Sequence, residues 1–380
     1  MDKQIILAVA GAGKTYHICH SIDPTKKNLI LAYTNENIYN IEKELCDAYK
    51  GVPKLTTVMT FDSFVYRHLI CPYEPSIAEH FSCPAFVSSG ICTVDPPSKQ
   101  ITNARGQMVA NPKYETKDKL RHYITNKGQY YCATLSELVL QVKKGRESLV
   151  KRIAARLNLF YDNVLIDEFQ DFREHDYELI MALAKQLNSV MLVGDYYQHS
   201  VSATNNSGKP FKKKKSDVGY SEFISELQST GFKIDTKTLD KSRRCSTEIC
   251  NYVSKKLGIN ISSYDKHEGS VIWVDDLAME ILDNKQIVKL VFKEADKYSF
   301  QALNWSYSKG DTVDAACVIL TERFDRLDNE NFSIQGIPIS TINKLYVAMT
   351  RSRGDLYLMK SSTFKKLKDL YMISLNQKQI

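Results

Sequence analysis

The sequence predicts an α/β fold: two domains built on parallel sheets, the first interrupted by an inserted, mainly helical subdomain. Three observations carry this. Apolar runs alternate with amphipathic segments early in the chain, where "NLILAY" (28–33) precedes "NENIYNIEKELCDAY" (35–49) and "KLTTVMTF" (54–61) precedes "DSFVYRHLI" (62–70). That is the β–α–β rhythm of a parallel sheet. The rhythm stops near Cys71 and resumes at "NVLIDEFQDF" (163–172) and "VMLVGDYYQ" (190–198). A second alternating region begins near Lys233 and runs through "SVIWV" (270–274), "QIVKLVF" (286–292), "ACVILT" (316–321) and "DLYLM" (355–359). The expected boundaries are 1–70 with 156–235 for the first domain, 71–155 for the insertion and 236–380 for the second domain. Within the insertion, residues 71–114 hold most of the prolines, and Tyr114–Leu159 is charged and helical in pattern.

The first strand and its turn come next. In "AVAGAGKTYHI" (8–18) a short apolar run leads into a glycine-rich turn and a segment able to start a helix. Bare backbone N–H groups beside a helix N-terminus attract phosphate oxygens. The pattern G-x-x-x-x-G-K-[ST] is met at Gly13, Lys14 and Thr15, with Ala8 in place of its first glycine. Ala10, Gly11, Ala12, Gly13, Lys14 and Thr15 are therefore candidates for holding a nucleotide triphosphate. A strand-to-helix turn without a ligand is the competing reading.

The carboxylate strand adds what the loop lacks. In "VLIDEFQD" (164–171) a buried strand delivers Asp167 and Glu168 at its C-terminal end, where an open parallel sheet places its ligand crevice. Asp167 can hold Mg²⁺ together with Thr15, and Glu168 can orient and deprotonate a water aimed at the γ-phosphate. The alternative, two acids capping the next helix, weakens with Lys14 upstream.

The sequence resembles the UvrD/Rep-like helicases of superfamily 1 over most of its length. "AVAGAGKT" looks like their phosphate loop, "AYTN" (32–35) like motif Ia and "TFDSF" (60–64) like their T-F-H-S-F. "DEFQD" (167–171), "VGDYYQ" (193–198), "SKGDTVD" (308–314) and "LYVAMTRSRGDLYL" (345–358) resemble motifs II, III, V and VI in the family's order. The resemblance implies two RecA-like domains, with ATP in a cleft between them and single-stranded nucleic acid across their top. It further implies Gln198 as a γ-phosphate sensor, and Arg244 and Arg351 as the motif IV and VI arginines that neutralise the transferring phosphoryl group. Arg243 or Arg353 can fill either arginine role. Strand contacts fall to Tyr33, by stacking on a base, and to Thr34, Asn35, Thr60, Ser63, Ser308 and Lys309. For Tyr33, core packing competes.

Departures from the pattern are specific. Asp62 stands where the family usually has His, and Arg243 stands where a Tyr usually stacks on adenine. No counterpart of the upstream adenine-reading Gln precedes the first strand, and too little chain separates motifs IV and V for the family's large second accessory subdomain. The expectation is a stripped-down helicase core with loose nucleobase choice.

Composition sets the remaining limits. The 380 residues suit two or three domains, and 43% hydrophobic residues suffice for ordinary cores. No apolar run approaches the ~18–20 residues that span a bilayer, so a cytoplasmic protein without a membrane partner is expected. Nine cysteines without a C-x-x-C pair read as reduced thiols. A net charge of +7 permits a polyanionic partner, and Lys212–Lys215 reads as a basic loop, either solvated or touching phosphates. His68, Cys71, His80 and Cys83 have zinc-type spacing, but buried thiols and surface histidines are the preferred reading. The leading functional reading is an ATP- and Mg²⁺-dependent translocase or helicase on single-stranded DNA, with RNA less favoured. The alternative is a regulatory NTPase that senses nucleic acid and partners an effector such as a nuclease.

Overall fold

The computed structural model describes residues 3–144, 147–199, 208–213, 216–265, 267–306 and 312–373. The chain forms two compact units. The first takes the described residues up to Ile5, Thr15–Val193 and those from 208 to Ile234; the second takes Ile6–Lys14, those from Gly194 to 199, and those from Asp235 onward. The insertion falls within the first.

The first sheet has six strands: β1 (Gln4–Leu7), β2 (Asn28–Ala32), β3 (Thr56–Thr60), β4 (Asn163–Ile166), β5 (Val190–Gly194) and β6 (Lys233–Asp235), in the order β6-β1-β5-β4-β2-β3. The pairs β2/β3, β2/β4 and β4/β5 are parallel, with Ile166 opposite both Leu31 and Leu192. Every residue of β2, β4 and β5 is buried. Their apolar runs do not alternate because helices cover both faces of a parallel sheet. The phosphate-loop strand β1 and the carboxylate strand β4 thus flank β5, as a RecA-like domain requires.

The insertion carries less helix than its charge pattern predicts. Helices occupy Glu74–His80, Leu135–Gln141 and, at its end, the start of Leu149–Phe160. Between the first two lie only short strands and single turns: Gly90–Cys92 pairs with Gln129–Tyr131, and Gln100–Thr102 with Met108–Ala110. Local hydrogen bonds explain the difference. The Thr125 hydroxyl accepts from the amides of Lys127 and Gln129, and Gly128 takes φ 77°, so side chains and glycine offer this backbone a turn in place of a helix. Tyr123, Tyr130, Leu135, Leu138 and Val139 form the buried side of the insertion.

The second unit holds a five-stranded, wholly parallel sheet: β7 (Val271–Val274), β8 (Ile287–Val291), β9 (Ala302–Asn304), β10 (Ala315–Ile319) and β11 (Leu356–Met359), ordered β7-β11-β10-β8-β9. One face packs Val274, Leu282, Ile287, Val291, Cys317, Ile319, Met359 and Phe364 into a common core. Helix Thr247–Leu257 is capped by Ser246, which accepts from the Ile249 amide, and ends at Gly258 in the left-handed region. Helix Ile339–Met349 is buried from Leu345 to Met349.

Candidate nucleotide site and strand contacts

In the first unit, β4 ends at Ile166 and the ladder continues one residue further, with the Asp167 amide donating to the Leu31 carbonyl at 2.9 Å. This holds the Asp167 side chain at the sheet's carboxyl edge, 1% exposed. Its Oδ2 accepts the Thr15 hydroxyl at 2.8 Å and its Oδ1 accepts the Glu168 amide at 2.9 Å. Glu168 sits at φ 55°, a left-handed conformation that a non-glycine residue adopts at a cost of about 1 kcal/mol or more. The strain turns the chain sharply, so adjacent residues place their carboxylates in different settings: Asp167 buried, Glu168 part-exposed and bonded by the Gln170 amide. A hydroxyl and a buried carboxylate side by side are the hard oxygen donors Mg²⁺ takes from a protein. The residues therefore fit the metal.

In the second unit, the phosphate loop is pinned at both ends. The Ala8 amide donates to the Gly194 carbonyl at 2.8 Å and the Val9 amide to the Leu239 carbonyl at 3.0 Å. Gly11 has φ 71°, and a Cβ there would lie 2.5 Å from the Arg244 Cβ and 2.8 Å from the Ser242 hydroxyl. Only glycine fits. The Arg243 amide donates to the Gly11 carbonyl at 2.9 Å, and the Arg243 guanidinium lies 4.2 Å from the centre of the Tyr264 ring. Arg244 donates to the Thr350 carbonyl at 3.2 Å, and Arg351, 1% exposed, donates through Nε to the Val347 carbonyl at 2.8 Å. Both arginines thus donate to carbonyls at or just past the end of helix Ile339–Met349. Gln198 donates to Asp195 Oδ2 at 2.7 Å. Ala12 and Gly13 complete the turn, and Lys14, 9% exposed, opens helix Lys14–Ser21.

The proposed strand contacts of the first unit are helix caps. The Thr34 hydroxyl accepts from the Asn37 amide at 3.1 Å, with Asn35 the first residue of that helix, and the Thr60 hydroxyl accepts from the Ser63 amide at 3.3 Å. Thr60 is itself the last residue of β3, and Thr34 follows the end of β2 after Tyr33. The Tyr33 ring stacks on Phe61 at 5.6 Å and meets Phe172 edge-on at 5.8 Å, while its hydroxyl donates to Asp176 at 2.8 Å. Asp62 pairs with Arg173, which also bonds Asp176 through its backbone amide at 3.0 Å. Burial raises the Asp62 carboxyl and the Arg173 guanidinium works against it. Ser308, Lys309, Lys214 and Lys215 lie outside the described residues; Lys213 pairs with Glu222 at 3.1 Å.

The zinc candidates do not assemble. Among the described residues, no group of three or more His, Cys, Asp or Glu side chains is arranged to hold a metal ion. The His68 ring stacks on Phe64 and meets the Tyr161 hydroxyl at 3.5 Å, and His80 packs edge-on against Phe81. Also among the described residues, no helix is long and apolar enough to cross a membrane.

Three features escape the sequence reading. Tyr346 reads as a core aromatic in an apolar helix, yet its hydroxyl accepts from the Ala10 amide at 2.8 Å. The signal was available, because a buried tyrosine hydroxyl needs a partner. Asp195 lies within a quoted motif but was given no role. Glu137 gathers Lys117, His122 and His175 around one carboxylate, 13% exposed. Those residues are too scattered in sequence to suggest it.

Residues 92–200 match the family model described as UvrD/REP helicase N-terminal domain, a stretch that contains both the Asp167–Glu168 turn and the Asp195–Gln198 turn. Over that stretch the chain is similar to the UvrD/REP helicases. No curated protein sequence matches it. Among solved structures it is similar to the Arterivirus nonstructural protein 10 (helicase), at 14% identity and TM-score 0.43, covering 98% of this chain and 62% of that one. The complex of that helicase with DNA matches at 14% identity and TM-score 0.45, covering 94% and 60%. The PRRSV helicase matches at 12% identity and TM-score 0.44, covering 98% and 54%. The chain thus spans between 54% and 62% of the length of these three proteins.

Proposed function

We propose that this chain is an ATP-driven translocase or helicase acting on single-stranded DNA. The observation that carries the reading is the 2.8 Å bond from the Thr15 hydroxyl to Asp167, which joins the phosphate-loop residue following Lys14 to the carboxylate at the end of β4. Lys14 sets its ammonium against the β- and γ-phosphates, and the loop amides around Gly11–Gly13 cradle the chain of phosphates. Thr15 and Asp167 would hold Mg²⁺, which when bound neutralises charge on the phosphate oxygens. Glu168 orients a water and takes its proton as the water oxygen bonds to the γ-phosphorus and the bond to the bridging oxygen breaks, releasing ADP and phosphate. Arg244 and Arg351 offset the charge that spreads over the transferring group.

The hydroxyl caps at Thr34 and Thr60 support a strand path. Each marks a helix start at the end of a sheet strand, where amide dipoles favour phosphate. The test is displacement of a labelled strand from a tailed duplex in the presence of ATP and Mg²⁺. Displacement by the wild type and none by Lys14→Ala is expected. Equal displacement by both proteins, or displacement without nucleotide, would contradict the reading.

A further inference from the structure

Inside the second unit, four buried polar groups form one chain of three bonds. The Ala10 amide donates to the Tyr346 hydroxyl at 2.8 Å; that hydroxyl reaches Asp195 Oδ2 at 3.4 Å; and the same oxygen accepts the Gln198 side-chain amide at 2.7 Å. Tyr346 and Asp195 are both 0% exposed, and Gln198 is 2% exposed. Directions follow from the chemistry. An amide N–H can only donate, so the tyrosine oxygen accepts from Ala10 and spends its own proton on the carboxylate. Asp195 also accepts the Tyr197 amide at 3.0 Å through Oδ1. A carboxylate acting as acceptor selects the NH₂ end of the Gln198 amide and turns its carbonyl oxygen the other way. The helix bearing Tyr346 is fastened to the same turn by Asn343, which donates to the His199 carbonyl at 3.1 Å.

We propose that Tyr346 is a positioning residue for nucleotide hydrolysis: its hydroxyl ties the phosphate loop at Ala10 to Asp195 and thereby fixes which end of the Gln198 amide is presented to the reaction. This rests on the reading of the chain as an NTPase. With its nitrogen held by Asp195, Gln198 offers a carbonyl oxygen, the end that accepts a hydrogen bond from an attacking water. The hydroxyl also makes the loop's geometry depend on helix Ile339–Met349, whose C-terminal end leads to Arg351.

The test uses Tyr346→Phe, which keeps the ring and deletes the hydroxyl, alongside Asp195→Asn and the double variant. Steady-state ATP hydrolysis is measured with Mg²⁺ and single-stranded DNA, after melting curves confirm folding. Tyr346→Phe is expected to lower kcat about 10-fold with KM changed less than about 2-fold. The double variant should fall no further than the worse single one, because both act through one chain of bonds. A Tyr346→Phe kcat within about 2-fold of wild type, or losses that multiply in the double variant, overturns the proposal. If the Phe variant does not fold, Asp195→Asn decides by the same split of kcat from KM. A wild type that hydrolyses no nucleotide overturns the NTPase reading itself; an active wild type matched by an active Tyr346→Phe overturns only the role of Tyr346.

Discussion

The Thr15 hydroxyl donates to the Asp167 carboxylate across 2.8 Å, although 152 positions separate them in the chain. A hydroxyl beside a buried carboxylate is the donor pair that the proposed metal-assisted phosphate site calls for. Lys14, next to Thr15, carries the loop's ammonium. Lys14→Ala should therefore abolish nucleotide turnover while leaving the melting temperature within a few degrees of wild type. Steady-state phosphate release checks this, and turnover at the wild-type rate would remove the site assignment.

Glu168 holds a left-handed backbone conformation directly after Asp167, and the proposed mechanism uses it as a base. Glu168→Gln keeps the shape and removes the proton acceptor. Hydrolysis should drop by roughly 10²-fold or more with nucleotide binding nearly intact. Binding of a fluorescent nucleotide measured beside single-turnover hydrolysis separates the two effects. Equal losses in both would make Glu168 a structural or metal-binding residue.

Stability should depend on pH through the Glu137 cluster. His175 lies 3.4 Å from Glu137 and 3.1 Å from Glu178, and the bond to Glu137 does most to raise its pKa to about 9. His122 is raised in the same direction by its own bond to Glu137. Burial alone would raise the Glu137 carboxyl, but bonds from His122, His175 and Lys117 override it and hold the group well below the usual carboxylate range. For a histidine whose folded pKa is raised, the stabilisation is complete below the unfolded value near 6.5 and is lost as pH climbs through about 9. Unfolding free energy should decline by about 1–3 kcal/mol across that window, discounted for the partial exposure of His175. His175→Asn should flatten the decline. Denaturant titrations at several pH values would show it, and an unchanged slope in the variant would place the pH dependence elsewhere.

Tyr33 is committed on one face to Phe61 and at its hydroxyl to Asp176. Tyr33→Ala should lower stability by about 2–4 kcal/mol through the lost packing. Tyr33→Phe should remove only one hydrogen bond, about 1 kcal/mol, and leave affinity for single strands within about 2-fold. If Tyr33→Ala melts like wild type but binds strands weakly, the ring serves as a base platform.

The strand–helix rhythm was legible because it is a local pattern with a fixed period, and the glycine-rich turn and paired carboxylates of the proposed site are local patterns of the same kind. Gly11 shows how far such a pattern reaches: the sequence marks it as a loop glycine, while the contacts with Ser242 and Arg244 that exclude a side chain come from more than 200 positions away. Thr34 and Thr60 are expected strand contacts, and the fold adds that each hydroxyl accepts a helix amide, a use that depends on where the helix starts. Asp62 departs from the motif, and the sequence does not show its partner Arg173, which lies 111 positions away. For Tyr346 the apolar helix around it signals that a buried hydroxyl needs a partner, but not that the partner is the Ala10 amide more than 300 positions away. The short strands of the insertion were lost for a related reason: runs of three residues are too brief to show a period.

The most direct test of the account is the rate of ATP hydrolysis by the full chain with Mg²⁺, measured with and without saturating single-stranded DNA. The account predicts slow turnover alone and a rise of about 10-fold or more with the strand, the stimulation expected of a translocase whose hydrolysis is coupled to strand binding. The same slow rate with and without the strand, in a protein that binds both ATP and DNA, would contradict it.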